Sequence, residues 1–166
     1  MGIVIIVLII FILLIYFLNN KPKFMNQNTI KNYHFSVDWG GSRVGFMEVS
    51  GLNIEVEAIT FREGSSRVDS FKQLPGLTKY ANISLKREII QGDNEFFNWI
   101  NSIQSGETER RDISISLLDA VHNPVVVWRV RDAFPIQYYG PVLNAQDSGL
   151  AVETLVLTHE GLLVTT

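Results

Sequence analysis

Apolar and polar residues alternate in run after run of this chain. Such alternation suits one kind of backbone, an extended strand whose successive side chains point to opposite faces. Tyr33, Phe35, Val37 and Trp39 alternate with His34, Ser36 and Asp38. Gly40-Gly41-Ser42 then supplies turn residues, and Val44 to Val49 resumes extended structure. Ile54, Val56 and Ala58 alternate with Asn53, Glu55 and Glu57; the phase then slips to Ile59 and Phe61, as a bulge or strand crossing requires. Ala81, Ile83 and Leu85 repeat the pattern, as do Ile113, Ile115 and Leu117. Asp119 to Pro124 reads as a hairpin connection into Val126, Trp128 and Val130. Leu150 to His159 is apolar on both phases, which predicts a strand covered on both faces. One segment departs from period two. Phe96, Phe97, Trp99, Ile100 and Ile103 recur at helical spacing, with Asp93 placed to cap the helix and Gly106 to end it. About seven strands and one helix predict a mainly β protein, a β-sandwich or barrel-like fold with one flanking α-helix.

The first residues follow another rule. Met1 to Leu18 carries no charge, and as a helix would span about 27 Å, close to the hydrocarbon thickness of a bilayer. Asn19, Asn20, Lys21, Pro22 and Lys23 end the run, without the basic start or small-residue cleavage site of a signal peptide. Two readings stand. Residues 1–24 are an apolar, helix-like membrane anchor with Lys21 and Lys23 on the cytoplasmic side, or they precede the true start at Met25. Residues 25–166 are the expected folded domain. Of the 14 bases only Lys21 and Lys23 precede Met25, so the 17 acids leave that domain net negative.

The residues that carry chemistry are sparse. With no cysteine there is no disulfide framework, thiol nucleophile or thiolate zinc site. His34, His122 and His159 are the only histidines, and none stands at a metal-binding spacing. His159-Glu160 could pair a base with its orienter, but a strand-end polar contact explains it as well. Gly40 to Gly45 lacks the Lys-Ser/Thr of a phosphate loop and joins two strands rather than opening a helix. No G-x-S-x-G elbow occurs. Arg110, Arg111, Arg129 and Arg131 are too interleaved with acids to track a nucleic acid. The expectation is a non-enzymatic protein without metal, cofactor or specific nucleic acid. The polar stretch from Arg62 to Gly76 is unusually long for a loop inside a compact domain, and such loops commonly bind a partner.

The order of several short segments carries a resemblance. Tyr33-His34-Phe35-Ser36-Val37 opens it, followed by Phe46 with Val49-Ser50-Gly51-Leu52, Phe61-Arg62-Glu63-Gly64 and Leu74-Pro75-Gly76. Asn82-Ile83-Ser84-Leu85-Lys86-Arg87, Gly92-Asp93 with Phe97 and Trp99, and Leu157-Thr158-His159-Glu160-Gly161-Leu162 complete it. From about Tyr33 to Val164 the chain resembles the tail tube protein family of contractile phages and contractile injection systems. The resemblance implies a structural subunit that forms homohexameric rings stacked into a hollow tube for delivery through a target envelope. Implied partners are a contractile sheath protein, baseplate and spike proteins, tube-terminating proteins and protein cargo in the lumen. Assembly in the cytoplasm, then incorporation into a released or membrane-docked particle, is implied too; membrane contact of the subunit follows only if residues 1–24 are a genuine anchor. The resemblance makes Arg62, Glu63, Ser65, Arg67, Lys72, Leu74 and Pro75 the expected subunit interface. Asn82, Ser84, Lys86, Ser114 and Ser116, on polar strand faces, are the expected lumen wall. Two alternatives are a secreted ring-forming effector carrier of type VI secretion and a membrane-anchored β-domain for protein–protein binding.

Overall fold

A computed structural model describes residues 30–166 except 43, 44, 66, 68, 107 and 147. The apolar segment 1–24 lies outside the described residues. The elements are β1 (Phe35–Asp38), β2 (Glu48–Ser50), β3 (Ile54–Phe61), β4 (Lys72–Tyr80), β5 (Ile83–Glu88), α1 (Glu95–Ser102), β6 (Arg111–Leu118), β7 (Pro124–Tyr139), β8 (Val152–Thr158) and β9 (Gly161–Thr165). Strand order is β1-β6-β7-β8-β5-β2, with β9 also on β7 and β3-β4 forming a separate two-stranded ribbon; every pairing is antiparallel.

The long strand β7 makes two sheets out of this ladder. Its first half pairs with β6 and β9, its second half with β8. The changeover falls at Asp132, whose φ of 54° interrupts the register opposite Asp112. The Asp132 amide donates to Asp112 Oδ1 at 3.0 Å, which satisfies the group that the irregularity frees. The β1-β6-β7-β9 sheet, here sheet A, and the β2-β5-β8-β7 sheet, sheet B, turn their inner faces to one core.

That core holds the apolar phase of each strand: Val37 and Trp39, Ile83 and Leu85, Ile113 and Ile115, Val130, Leu155 and Leu157. Burying each aliphatic side chain is worth roughly 1.5–3 kcal/mol. Phe96 and Trp99, three residues apart on α1, seat the helix against the same cluster, and the Trp99 indole donates to the Glu109 carbonyl at 2.9 Å. Arg87, fully buried, donates from Nε to Glu153 at 2.7 Å and from Nη2 to Asp93 at 3.0 Å, and its guanidinium lies 3.9 Å from the Phe96 ring centre. The Tyr138 hydroxyl donates to the second Glu153 oxygen at 3.0 Å. Burial, and then the Glu153 carboxylate beside it, push the Tyr138 phenol above its ordinary value.

Several expectations need correction. Glu153 sits on the buried phase of β8, so the strand is not apolar on both phases where it is most enclosed. Its burial follows from the charge partner that Arg87 supplies. The extended structure after Gly45 is a strand only over Glu48–Ser50. Asp93 stands one residue before the helix N-cap, Asn94, and its Oδ1 accepts from the Glu95 amide at 3.2 Å while holding Arg87. Gly106, at φ 85°, ends the helical run after a short 3-10 turn over Ile103–Ser105. The part of β7 beyond Val130 carries no alternation signal, since Pro135 sits at a register shift where a missing N–H is tolerated. Among the described residues no helix is long and apolar enough to cross a membrane.

Candidate assembly surface

Strands β2 and β5 form one edge of sheet B, and the ribbon β3-β4 continues that pair outward. The bend between them lies at Gly51, where φ is 90° and a Cβ would stand 2.0 Å from the Asn82 carbonyl oxygen. Only glycine fits such a close approach at positive φ. Across the bend, the Asn53 amide donates to the Gly51 carbonyl and the Ala81 amide to the Asn53 carbonyl, so the ladder resumes at Ile54↔Tyr80. The buried His159 ring braces the base: its nitrogens lie 3.1 Å from the carbonyl oxygens of Ala81 and Gly161, and Tyr80 packs over it with ring centres 5.4 Å apart. His159 is thus a strand-end polar contact.

Beyond the bend every residue of β3 is exposed, and so is every residue of β4 except Gly76. The stretch expected as a polar loop is therefore half strand. Lys72, Leu74 and Pro75 lie in β4, paired with Phe61, Ile59 and Ala58, while Arg62, Glu63, Ser65 and Arg67 lie in the exposed connection at the tip. Pro75 and Gly76 conceal the strand from its composition, yet both are tolerated beside the register shift between Val56 and Ala58. At the tip Arg62 Nη2 donates to Asp69 Oδ1 at 3.2 Å.

The regular alternation of β3, with an extra residue in β4 at the register shift, sorts the apolar side chains. The pairs Ile54↔Tyr80 and Val56↔Thr78 place Ile54, Val56 and Tyr80 on one face. Beyond the bulge, Ile59↔Leu74 and Phe61↔Lys72 fall on the other face, the one that carries Glu57 and its ion-pair partner Lys79 nearer the base. The ribbon is apolar on one side at its base and on the opposite side at its tip. An isolated two-stranded ribbon is marginal in water, and exposed aliphatic and aromatic side chains on such an edge make it a candidate surface for another chain. The residues expected from the sequence as an interface share this ribbon with the exposed Ile54, Val56, Ile59, Phe61 and Tyr80, which sequence reasoning did not single out. Their alternation reads as core burial, and the phase slip after Ala58 was the available signal.

The expected lumen residues do not form one surface. Ser84 and Lys86 lie on the outer phase of β5 in sheet B, Lys86 within 3.6 Å of Glu48. Ser114 and Ser116 lie on the outer phase of β6 in sheet A. Because the inner faces of the two sheets meet at one core, these two sets point away from each other. Asn82 is exposed at the bend rather than within a strand.

A polar depression of about 180 Å³ beside α1 is lined by Glu95, Glu109 and Arg111 among others. Its charges are already engaged. Glu95 accepts from the Ser42 amide, and Glu109 takes both Nε and Nη2 of Arg111, a bidentate bond that holds its carboxyl below the ordinary value. His34 and His122 pack edge to face, 5.0 Å between ring centres. Among the described residues no group of three His, Asp or Glu side chains could hold a metal ion.

The family described as T4-like virus tail tube protein gp19 matches residues 31–163. Among solved structures, the sheath–tube complex of the extracellular contractile injection system PVC, in its extended state, contains a chain 31% identical. It has a TM-score of 0.77, and the match covers 84% of this chain and 93% of that one. A chain of the anti-feeding prophage tube-terminating cap is 32% identical, with a TM-score of 0.76 over 83% of this chain and 91% of that one. A chain of the PVC sheath/tube terminator is also 32% identical at 0.76, over 83% and 97%. No curated protein sequence matches.

Proposed function

The chain belongs to the T4-like virus tail tube protein family and is a structural inner-tube subunit of a contractile injection system, and from that premise we propose that its copies close into homohexameric rings that stack into a hollow tube. The observation that carries the assembly step is the ribbon, with strands exposed on both sides and apolar residues on both faces. A neighbouring copy that covers it removes the edge hazard and turns a marginal ribbon into part of a wall.

In this reading residues 25–166 are the tube domain, and Arg62, Glu63, Ser65, Arg67, Lys72, Leu74 and Pro75 belong to the subunit interface, with the apolar ribbon side chains as its main source of energy. Only one outer sheet face can line a channel. The sheet B face with Ser84, Lys86 and Thr154 suits it, because the ribbon extends the same edge; Ser114 and Ser116 then face outward. The tube assembles in the cytoplasm and enters a phage-tail-like particle, where it meets a contractile sheath, a baseplate and a terminating cap and encloses protein cargo. Related chains in sheath–tube, terminator and cap complexes support the sheath and the terminating cap as partners.

Negative-stain electron microscopy of the purified protein, at rising concentration, tests the reading. Rings at low concentration and stacked hollow tubes at high concentration are expected. A single monodisperse monomer throughout, even with preformed tube fragments added as seeds, would overturn it.

A further inference from the structure

We propose that His159 is a proton-operated latch at the base of the ribbon. With a hydrogen on each ring nitrogen it fastens the Ala81 carbonyl, and the loss of one hydrogen releases it. The latch stands on the geometry of the subunit; its consequence for assembly rests on the tube reading.

Both partners of the ring are acceptors. Nδ1 lies 3.1 Å from the Gly161 carbonyl oxygen, and Nε2 lies 3.1 Å from the Ala81 carbonyl oxygen. A neutral imidazole has one N–H and one bare nitrogen, and a carbonyl has nothing to donate. In either tautomer, therefore, a bare nitrogen turns its lone pair toward a carbonyl oxygen. The ring with two hydrogens satisfies both contacts, and a buried cation is tolerated where each of its N–H groups has an acceptor. The charged and titratable groups around the ring do not take over that role. Glu160, the next residue, is ion-paired with Arg110. From β7 the Arg131 guanidinium stands against Gly161, 2.9 Å from where a Cβ would be, and as a cation it opposes the extra proton. From β4 the Tyr80 ring packs over the imidazole with ring centres 5.4 Å apart. The hold on the second hydrogen thus comes from the two carbonyls.

The two contacts differ in what they join. The Gly161 contact is local to the connection between β8 and β9. The Ala81 contact joins positions 78 apart in the chain and ties the end of β8 to the residue that follows β4. The Ala81 amide in turn donates to the Asn53 carbonyl at 3.1 Å, and the β3-β4 ladder begins one residue beyond, at Ile54↔Tyr80. One ring therefore sets how firmly both ribbon strands are rooted. Histidine exchanges this proton near neutrality, and a bond that needs it is present on the acid side and lost as pH rises. The ribbon is firmly rooted in mildly acidic solution and loosely rooted in alkaline solution, and assembly through it follows the same direction.

Full-length protein carrying His34→Gln and His122→Asn keeps His159 as its only histidine. Its ring nitrogens are followed by NMR in dilute solution from mildly acidic to mildly alkaline pH, beside amide hydrogen exchange at Ala81. Two N–H signals are expected on the acid side. As one disappears, exchange at Ala81, corrected for the intrinsic effect of pH, should quicken roughly 2- to 12-fold, the worth of one hydrogen bond. A ring that keeps one N–H throughout, or two throughout, would overturn the latch, as would Ala81 exchange that ignores the change in the ring. Electron microscopy of the unaltered protein and of His159→Gln over the same range scores assembly. The unaltered protein should form rings and tubes at lower concentration on the acid side, and the variant should lose that preference. Assembly of the unaltered protein that is indifferent to pH would overturn the part of the latch in assembly. No rings or tubes at any pH would overturn the tube reading and leave the latch standing, since the exchange rates report it in the subunit alone.

Discussion

Arg87 Nε and Glu153 Oε1 stand 2.7 Å apart with both side chains withdrawn from water. Each charge is tolerable there only because of the other. Arg87→Met strands the Glu153 carboxylate in the core and is expected to cost about 3–5 kcal/mol, read as a lower urea midpoint at unchanged slope. Arg87→Met with Glu153→Leu removes both members of the pair and should recover part of that loss, since the Asp93 and Tyr138 side chains then lose the bonds they make to Arg87 and Glu153. A double variant as unstable as the single one would show that the Arg87–Glu153 pair was not the source of the loss, leaving the Arg87 contacts with Asp93 and Phe96.

Gly51 admits no side chain. A Cβ would meet the Asn82 carbonyl at 2.0 Å, and the φ of 90° is itself unfavourable for any other residue. Gly51→Ala is expected to destabilise the protein by at least about 1–3 kcal/mol and, by swinging the ribbon base, to reduce tube formation more than melting temperature alone explains. Thermal unfolding beside electron microscopy separates the two effects. A variant with unchanged melting and normal tubes would remove the strain argument.

Asp119 organises the turn from β6 to β7. Its Oδ1 accepts from the amides of Asn123 at 2.8 Å and Val121 at 2.9 Å, and these bonds, Asn123 first, hold the carboxyl below its ordinary value. A carboxyl depressed in the folded state binds its proton more weakly there than in the unfolded chain. Its contribution is therefore complete above the ordinary carboxylate range and is lost as pH falls through the lowered value. Asp119→Asn should flatten the acid side of the pH–melting curve, melting slightly below the unaltered protein at neutral pH and converging with it as pH falls through the lowered value. An unchanged acid slope in the variant would exclude this turn as a source of acid sensitivity.

Much of the fold is legible in the sequence because its strands alternate: Val37 and Trp39, Ile83 and Leu85, and Ile113 and Ile115 all occupy the core their phase implies. The helix α1 is legible from Phe96, Trp99 and the Gly106 stop for the same reason. What stays hidden is tertiary. Strand β4 contains Pro75 and Gly76, which local propensity reads as a turn, and only its partner β3 makes it a strand. Glu153 looks like a surface acid until Arg87 is placed beside it. Exposure is the least legible property. Ile54, Val56, Ile59 and Phe61 alternate as core strands do, and nothing local says that in the single chain they stay exposed.

The opposed apolar faces of the ribbon give two separable outcomes. Val56 lies on the base face with Ile54 and Tyr80, beside the sheet B edge, where a neighbour within the ring would pair; Ile59 lies on the tip face with Phe61 and Leu74. Both are exposed in the free subunit, so an aspartate at either should change its stability by no more than about 0.5 kcal/mol. In the assembly each aspartate buries an unpaired charge at one contact. Val56→Asp is expected to leave monomers that do not close into rings. Ile59→Asp is expected to give rings that do not stack. Sedimentation velocity distinguishes monomer, ring and tube directly. Arrest of both variants at the same stage would mean that the ribbon serves one neighbour rather than two, and that the bulge has no part in dividing them.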